Sequence, residues 1–190
     1  MLIENVKIPE GASGPWAVQR FIVSKQEAEM ERLRSIFSGG RGVPEGEYTR
    51  LVRGGTVVMS DTPDEKRDHY EAVRRATGNV LINGLGLGMV VRAALNKPGV
   101  NRITVVELDK NVISLVAPHY ADARVEIVNA NAFDYQPPKG VRYDAVWHDI
   151  WDHITADNLP EMTRLKRKYS RRSDWQGCWC EYQCRRTLNR

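Results

Sequence analysis

The sequence predicts an α/β fold built on a mostly parallel sheet, and three observations carry the prediction. Four short β-branched runs, at residues 80–83, 102–107, 124–128 and 143–149, alternate with helical stretches, and a parallel return needs a crossover between strands. The first run leads into a glycine turn that opens a helix. The length of 190 residues, 42% hydrophobic and 27% charged, suits one core and excludes a disordered chain, a collagen-like chain and a disulfide scaffold.

Residues 1–60 read as an N-terminal extension of helix and β-hairpin. A short strand at 17–23 precedes Ser24-Lys25-Gln26-Glu27, a capping box that starts a helix to about Phe37. Gly39-Gly40-Arg41-Gly42-Val43-Pro44 ends it. Residues 48–52 and 56–60 then flank Arg53-Gly54-Gly55 as a hairpin.

Residues 61–158 read as the main α/β domain. Asp61 or Thr62 followed by Pro63, Asp64 and Glu65 starts a helix expected to reach Ala76, with Gly78 as its C-terminal cap. After the strand at 80–83 come a helix to about Asn96, the second strand, a helix from Lys110 to about His119, and the last two strands. No apolar run approaches the roughly 18 residues of a membrane span, and residues 1–9 show no basic-then-apolar signal. A cytoplasmic chain without membrane contact is the expectation.

Two constellations carry chemistry. In Asn83-Gly84-Leu85-Gly86-Leu87-Gly88 the glycines let the backbone turn tightly and approach a ligand, although a strand-to-helix turn alone could ask for them. Glu107 ends the second strand 19 residues beyond Gly88, where a carboxylate accepts both ribose hydroxyls of a nucleoside. The neighbouring Asp109 is placed to cap the next helix. A nicotinamide fingerprint wants its third glycine at position 89, which is Met89, whereas the spacing here is G-x-G-x-G.

That spacing, with an acid ending the second strand, is similar to the S-adenosylmethionine site of class I methyltransferases, so a Rossmann-like sheet is implied. Residues 48–153 resemble the spermidine-synthase branch in particular. The resemblance runs through the hairpin and Tyr70-Glu71, Val106-Glu107-Leu108-Asp109 followed by Val112-Ile113, Arg124-Val125-Glu126-Ile127-Val128, and Tyr143-Asp144-Ala145-Val146-Trp147-His148-Asp149-Ile150-Trp151-Asp152.

The resemblance implies bound S-adenosylmethionine or its decarboxylated form. Gly84, Gly86 and Gly88 would surround its amino-acid portion, Glu107 its ribose, and Asn131-Ala132 its adenine, with Asn83 and Leu108 as further cofactor contacts; the family usually has Asp-Ala at the adenine place, and Asp134 nearby could substitute. Asp149, at the carboxyl end of the fourth strand, and Asp152 would orient or deprotonate the acceptor. Asp144 falls at the strand's start, away from the crevice. The expected activity is methyl transfer to an unidentified acceptor. The alternatives are aminopropyl transfer to a polyamine and a non-catalytic nucleoside-binding or assembly module. His148 and His153 bracket the two acids as H-D-x-x-D-H, a string better explained by the strand end than by a metal, so no metal is expected.

Residues 159–190 read as a basic helical tail. They hold 9 Lys and Arg against 3 Asp and Glu, while residues 1–160 hold 19 against 21, so the net charge of +4 is a tail property. A helix from Leu159 to Tyr169 precedes a second, capped by Ser173 or Asp174, in which Trp175, Trp179 and Tyr182 share a face. No strand is expected after Trp151, so the fold should be truncated after its fourth strand, leaving that edge to the tail or to a second copy. Homo-oligomerisation follows as an expectation. Nucleic-acid contact through the arginines is conceivable but not favoured. Cys178, Cys180 and Cys184 are expected to pack as small apolar residues.

Overall fold

The computed structural model describes residues 3–38 and 42–188. Gly39, Gly40 and Arg41, the heart of the expected glycine break, lie outside them. Strands β1 (Gly11–Ser13), β2 (Trp16–Val23), β3 (Gly46–Arg53) and β4 (Thr56–Ser60) form an antiparallel sheet in that order. Helix α1 (Lys25–Ser38) joins β2 to β3. Its capping box forms as expected: the Glu27 carboxylate accepts from the Ser24 amide at 2.8 Å, and the Glu27 amide donates to Ser24 Oγ at 3.3 Å.

The helix expected at 62–76 is two helices, α2 (Pro63–Asp68) and α3 (Tyr70–Arg75). The break falls at His69, whose ring turns into the core and meets Trp147 edge-on with centroids 6.2 Å apart. Gly78 is not a cap; it opens the next strand.

The second sheet holds β5 (Gly78–Asn83), β6 (Val100–Glu107), β7 (Val125–Asn129), β8 (Tyr143–His148) and β9 (Ser173–Cys178), in the order β7-β6-β5-β8-β9 with every pairing parallel. Its helices are α4 (Met89–Leu95), α5 (Lys110–Val116), α6 (Asn158–Tyr169) and α7 (Glu181–Thr187). The chain leaves β5 toward β6 on one side and returns to β8 on the other. A crevice therefore opens at the carboxyl ends of β5 and β8, where open α/β sheets bind ligands.

Burial explains the strand composition. Val80, Leu81 and Ile82 of β5 are buried, as a parallel strand covered on both faces requires. The larger core joins Ile103, Val105, Ala94 and Val116 beneath α3, α4 and α5, while Leu81 and Val146 meet Leu165 and Tyr169 of α6 on the other face. Leu165 is fully buried, so its truncation to alanine should cost about 2–5 kcal/mol.

The tail corrects the sequence reading. Residues 173–178, expected as helix, are the fifth strand, so the fold is not truncated after the fourth, and the β8 edge is covered by β9. Trp175 stacks on Trp147, with planes 4° apart, and Arg75 lies over its outer face. A Cβ on Gly177 would stand 2.6 Å from the Trp175 ring, so glycine gives that ring its place. The shared helical face dissolves: Trp175 is on β9, Trp179 in the loop after it, and Tyr182 exposed on α7. The three cysteines are buried and free. Among the described residues no helix is long and apolar enough to cross a membrane.

Candidate functional site

A cavity of about 700 Å³ lies at the carboxyl ends of β5, β6, β7 and β8. Of the residues singled out from sequence, Gly84, Gly86, Glu107, Leu108, Asn131, Ala132, Asp149 and Asp152 line it together. Asn83 and Gly88 do not. The Asn83 side chain turns into the sheet, where Nδ2 stands 2.8 Å from His148 Nδ1.

The glycines answer first to internal packing. Gly84 has φ +100, and a Cβ there would fall 1.9 Å from the carbonyl oxygen of Asp149, so its absence lets the β5 and β8 ends approach. Gly88, with φ +71, lies under the Tyr120 ring, where a Cβ would come within 2.2 Å. Both demands exist without any ligand.

Glu107 is held before a ligand arrives. Its Oε2 accepts the Leu85 amide and its Oε1 the Asp109 amide, each at 2.8 Å. Burial lifts its carboxyl above the ordinary range, and these amides oppose that lift. The Leu108 amide also stabilises the charge, and of the carboxylate's roughly four acceptor positions one remains for a hydroxyl donor from the cavity. Asp109 is the helix cap: Oδ1 accepts the Asn111 amide at 2.8 Å, and Oδ2 takes Trp16 Nε1–H at 2.6 Å, tying the first sheet to the second.

The opposite wall is acidic. Burial pushes Asp149 up to about 7, with Asp68 adding repulsion, and pushes Glu65 up to about 8, with Asp149 and Asp68 adding to it. His69 Nδ1 lies 3.5 Å from Asp149 Oδ2, but burial drives the imidazole down to about 4, so at neutral pH it carries no charge. The cavity's cationic residues, Arg53 and Lys110, lie elsewhere: Arg53 acts on Asp109, and Lys110 follows it in the chain.

The remaining candidates separate. Asp152 sits at the rim, paired with His153 Nδ1 at 2.9 Å. His148 is buried between Asn83 and Gln176, so the H-D-x-x-D-H string scatters to opposite sides of the strand end. Asn131 Oδ1 accepts the Phe133 amide at 2.8 Å, making the amide part of a turn as well as of the cavity wall. Asp134 is not a lining residue. Asp144 stands at the start of β8, accepting the Asn79 amide at 2.7 Å, as expected.

No protein-family profile matches the chain. Its sequence relatives include polyamine aminopropyltransferase 1 of Streptomyces coelicolor, 33% identical over 135 residues that cover 64% of this chain and 24% of that protein. The polyamine aminopropyltransferase of Mycobacterium tuberculosis is 32% identical over 142 residues, 66% of this chain and 25% of that one. The chain thus spans about a quarter of these relatives' length. A putative S-adenosylmethionine-dependent methyltransferase from Streptococcus mutans superposes with a TM-score of 0.51 at 15% identity, covering 75% of this chain and 43% of that one. The N-methyltransferase NodS of Bradyrhizobium japonicum gives 0.50 at 14% identity, over 66% and 74%. The chain carries the class I methyltransferase fold. The sequence relatives named here are polyamine aminopropyltransferases.

Several lining residues of this methyltransferase-fold cavity escaped the sequence reading. Glu65 was read only as an acid in a helix's first turn, Met59 as part of a hairpin, and Trp179 as packing. Each comes from a segment distant in sequence from the glycine turn, and only the tertiary fold brings them to Gly84 and Asp149. Trp16 carried one usable signal, a tryptophan opening a strand, but nothing marked its partner Asp109.

Proposed function

We propose that this chain is a transferase that binds S-adenosylmethionine or its decarboxylated form and passes a carbon group to an amine. The carrying observation is the preset Glu107 carboxylate facing Asp149 across one cavity at the β5/β8 switch point. The nucleoside's sulfonium supplies an electrophilic carbon and a thioether leaving group. Glu107 would accept a ribose hydroxyl, exposed Leu108 would meet the base at the mouth, and Asn131 and Ala132 would border the adenine edge. Asp149 would take a proton from the acceptor's ammonium, freeing the lone pair that displaces the thioether. Most of the rate gain then comes from aligning acceptor and carbon.

Methyl transfer has the support of the fold neighbours. A specific observation favours aminopropyl transfer. Glu65 and Asp149 form an acidic wall, while Arg53 and Lys110 stand by Asp109. Such a wall offers the carboxylate of S-adenosylmethionine no cation, and its raised carboxyls gain charge when a cation enters, which suits the ammonium that the decarboxylated form presents. The 33% identity to an aminopropyltransferase points the same way.

Calorimetry with both nucleosides tests the reading: the decarboxylated form should bind more tightly, and product analysis with putrescine should find the thioether nucleoside. Binding of neither nucleoside would sink it, and binding without turnover of any amine would leave the non-catalytic module. Assembly of two copies belongs to this proposal through the outer edge of β9, since β8 is covered; a monomeric mass in solution would remove it.

A further inference from the structure

The cavity wall that follows β7 is a turn, Asn131 to Tyr135, and the basic segment that composition set apart reaches over to hold it. Lys168, in the last turn of α6, donates through Nζ to the carbonyl oxygens of Ala132 at 3.2 Å and Phe133 at 2.7 Å. One helical turn earlier, Arg164 lies over the Phe133 ring, 4.7 Å from its centroid.

Those two carbonyls belong to peptides that are also held at their other ends. In a planar trans peptide the C=O and the following N–H point in opposite directions. The N–H opposite the Ala132 carbonyl is that of Phe133, which donates to Asn131 Oδ1 at 2.8 Å. The N–H opposite the Phe133 carbonyl is that of Asp134, which donates to the Asn131 carbonyl at 2.9 Å. Asn131 thus holds two consecutive peptides by their N–H ends, and Lys168 holds the same two by their C=O ends. The ammonium polarises both peptides, which strengthens the bonds at the far ends.

This clamp decides which way the Asn131 amide faces. A backbone N–H only donates, so the atom facing Phe133 is the oxygen. Nδ2 makes no hydrogen bond among the described residues and is not enclosed, and Asn131 lines the cavity. Toward a ligand the amide therefore offers an oxygen lone pair beside N–H donors. A 6-aminopurine presents the complement, an N–H donor beside a ring-nitrogen acceptor. A 6-oxopurine presents an acceptor at the 6-position and fits only an amide turned over. A free asparagine makes that turn readily, whereas one whose oxygen serves a pinned peptide would leave a donor unpaired. We propose that Lys168 is a positioning residue for base specificity: by pinning the 132–134 peptides it fixes the Asn131 amide in the orientation that accepts a 6-aminopurine and turns away a 6-oxopurine. The purine rests on the functional reading above; the discrimination rests on Lys168 and Asn131.

The test compares methylthioadenosine with methylthioinosine by calorimetry on the full chain. The unmodified protein should bind the 6-amino nucleoside about tenfold or more tightly, the discrimination of one bidentate amide contact. Lys168→Met should bring the two within about threefold, chiefly by admitting methylthioinosine. Arg167→Met, which removes the same charge from an exposed neighbour on α6, should leave the ratio unchanged. Adding Asn131→Asp to Lys168→Met should restore the preference, because a carboxylate accepts from a 6-amino group and has no donor for a 6-oxo group in either orientation. A turn that had merely been damaged would not recover in this way. Equal affinities in the unmodified chain, a preference that survives Lys168→Met, or no recovery in the double variant each overturns the proposal and leaves the functional reading standing. The first comparison needs no variant, so misfolding of Lys168→Met would not shield it. Binding of neither nucleoside would overturn the functional reading, and this proposal with it.

Discussion

Replacing Asp149 with asparagine should make the protein more stable at pH 8 and leave it nearly unchanged at pH 4. Burial first, then the charge of Asp68, raises the Asp149 carboxyl from 3.8 to about 7. At about 1.4 kcal/mol per unit, three units set a ceiling of about 4 kcal/mol on the cost of ionising it in the fold. The same carboxylate also raises Glu65, so the two titrate as a pair and the ceiling is not additive. About 2–3 kcal/mol is the expected gain.

The sign follows from proton counting. Between pH 4 and 7 the folded state holds a proton on Asp149 that the unfolded state has released, so stability falls as pH rises through that window and levels off above it. Below pH 4 both states are protonated, and asparagine resembles the neutral acid. Urea denaturation of both proteins at intervals from pH 4 to 8 reads the difference directly. A stability difference constant across the range, or a variant weaker at pH 8, would refute the argument that burial of this carboxylate dominates its environment.

Glu107→Ala should weaken nucleoside binding by about tenfold or more, since a hydrogen bond to a charged acceptor is lost, worth about 1.5 kcal/mol or more; calorimetry measures it, and a change under threefold would count against the ribose role. Gly88→Ala should destabilise by about 2–5 kcal/mol, combining a left-handed φ with a Cβ 2.2 Å from Tyr120. Thermal melting checks this, and unchanged nucleoside affinity in the folded fraction would assign Gly88 to packing. The rate of amine transfer at low acceptor concentration should climb as pH rises through about 7, where Asp149 loses its proton. In Asp149→Asn that climb should vanish.

Chemistry at strand ends was readable because it is written in local runs. Val80-Leu81-Ile82 followed by Gly84, and Val105-Val106 followed by Glu107, announce both a buried strand and the residue that emerges at its crevice end. Asn83 shows the limit of that logic. It is the last residue of its strand, but its side chain faces His148 inside the sheet, and only the pleat's phase decides between that side and the cavity. The strand β9 was not readable at all. Ser-Asp-Trp-Gln-Gly-Cys lacks a β-branched residue, and its conformation comes from Trp175 stacking on Trp147 with Gly177 making room. Nothing within six residues of Trp175 specifies that partner.

The N-terminal sheet shows why the cavity could not be assembled from the central motifs alone. Read as a preface, it instead closes one side of the site with Trp16, Leu51, Arg53, Val58 and Met59. It is locked there at two points. Trp16 Nε1 donates to Asp109, the residue that caps α5, and the Met59 sulfur accepts the Leu87 amide at 3.1 Å inside the glycine turn. Gly86 completes the second lock, because a Cβ there would stand 2.3 Å from that sulfur. One of the three glycines that suggested a nucleoside site thus serves the contact between hairpin and turn that shapes the cavity. The G-x-G-x-G spacing reports a wall being seated as much as a ligand being approached, which is why it was informative before any ligand entered the argument.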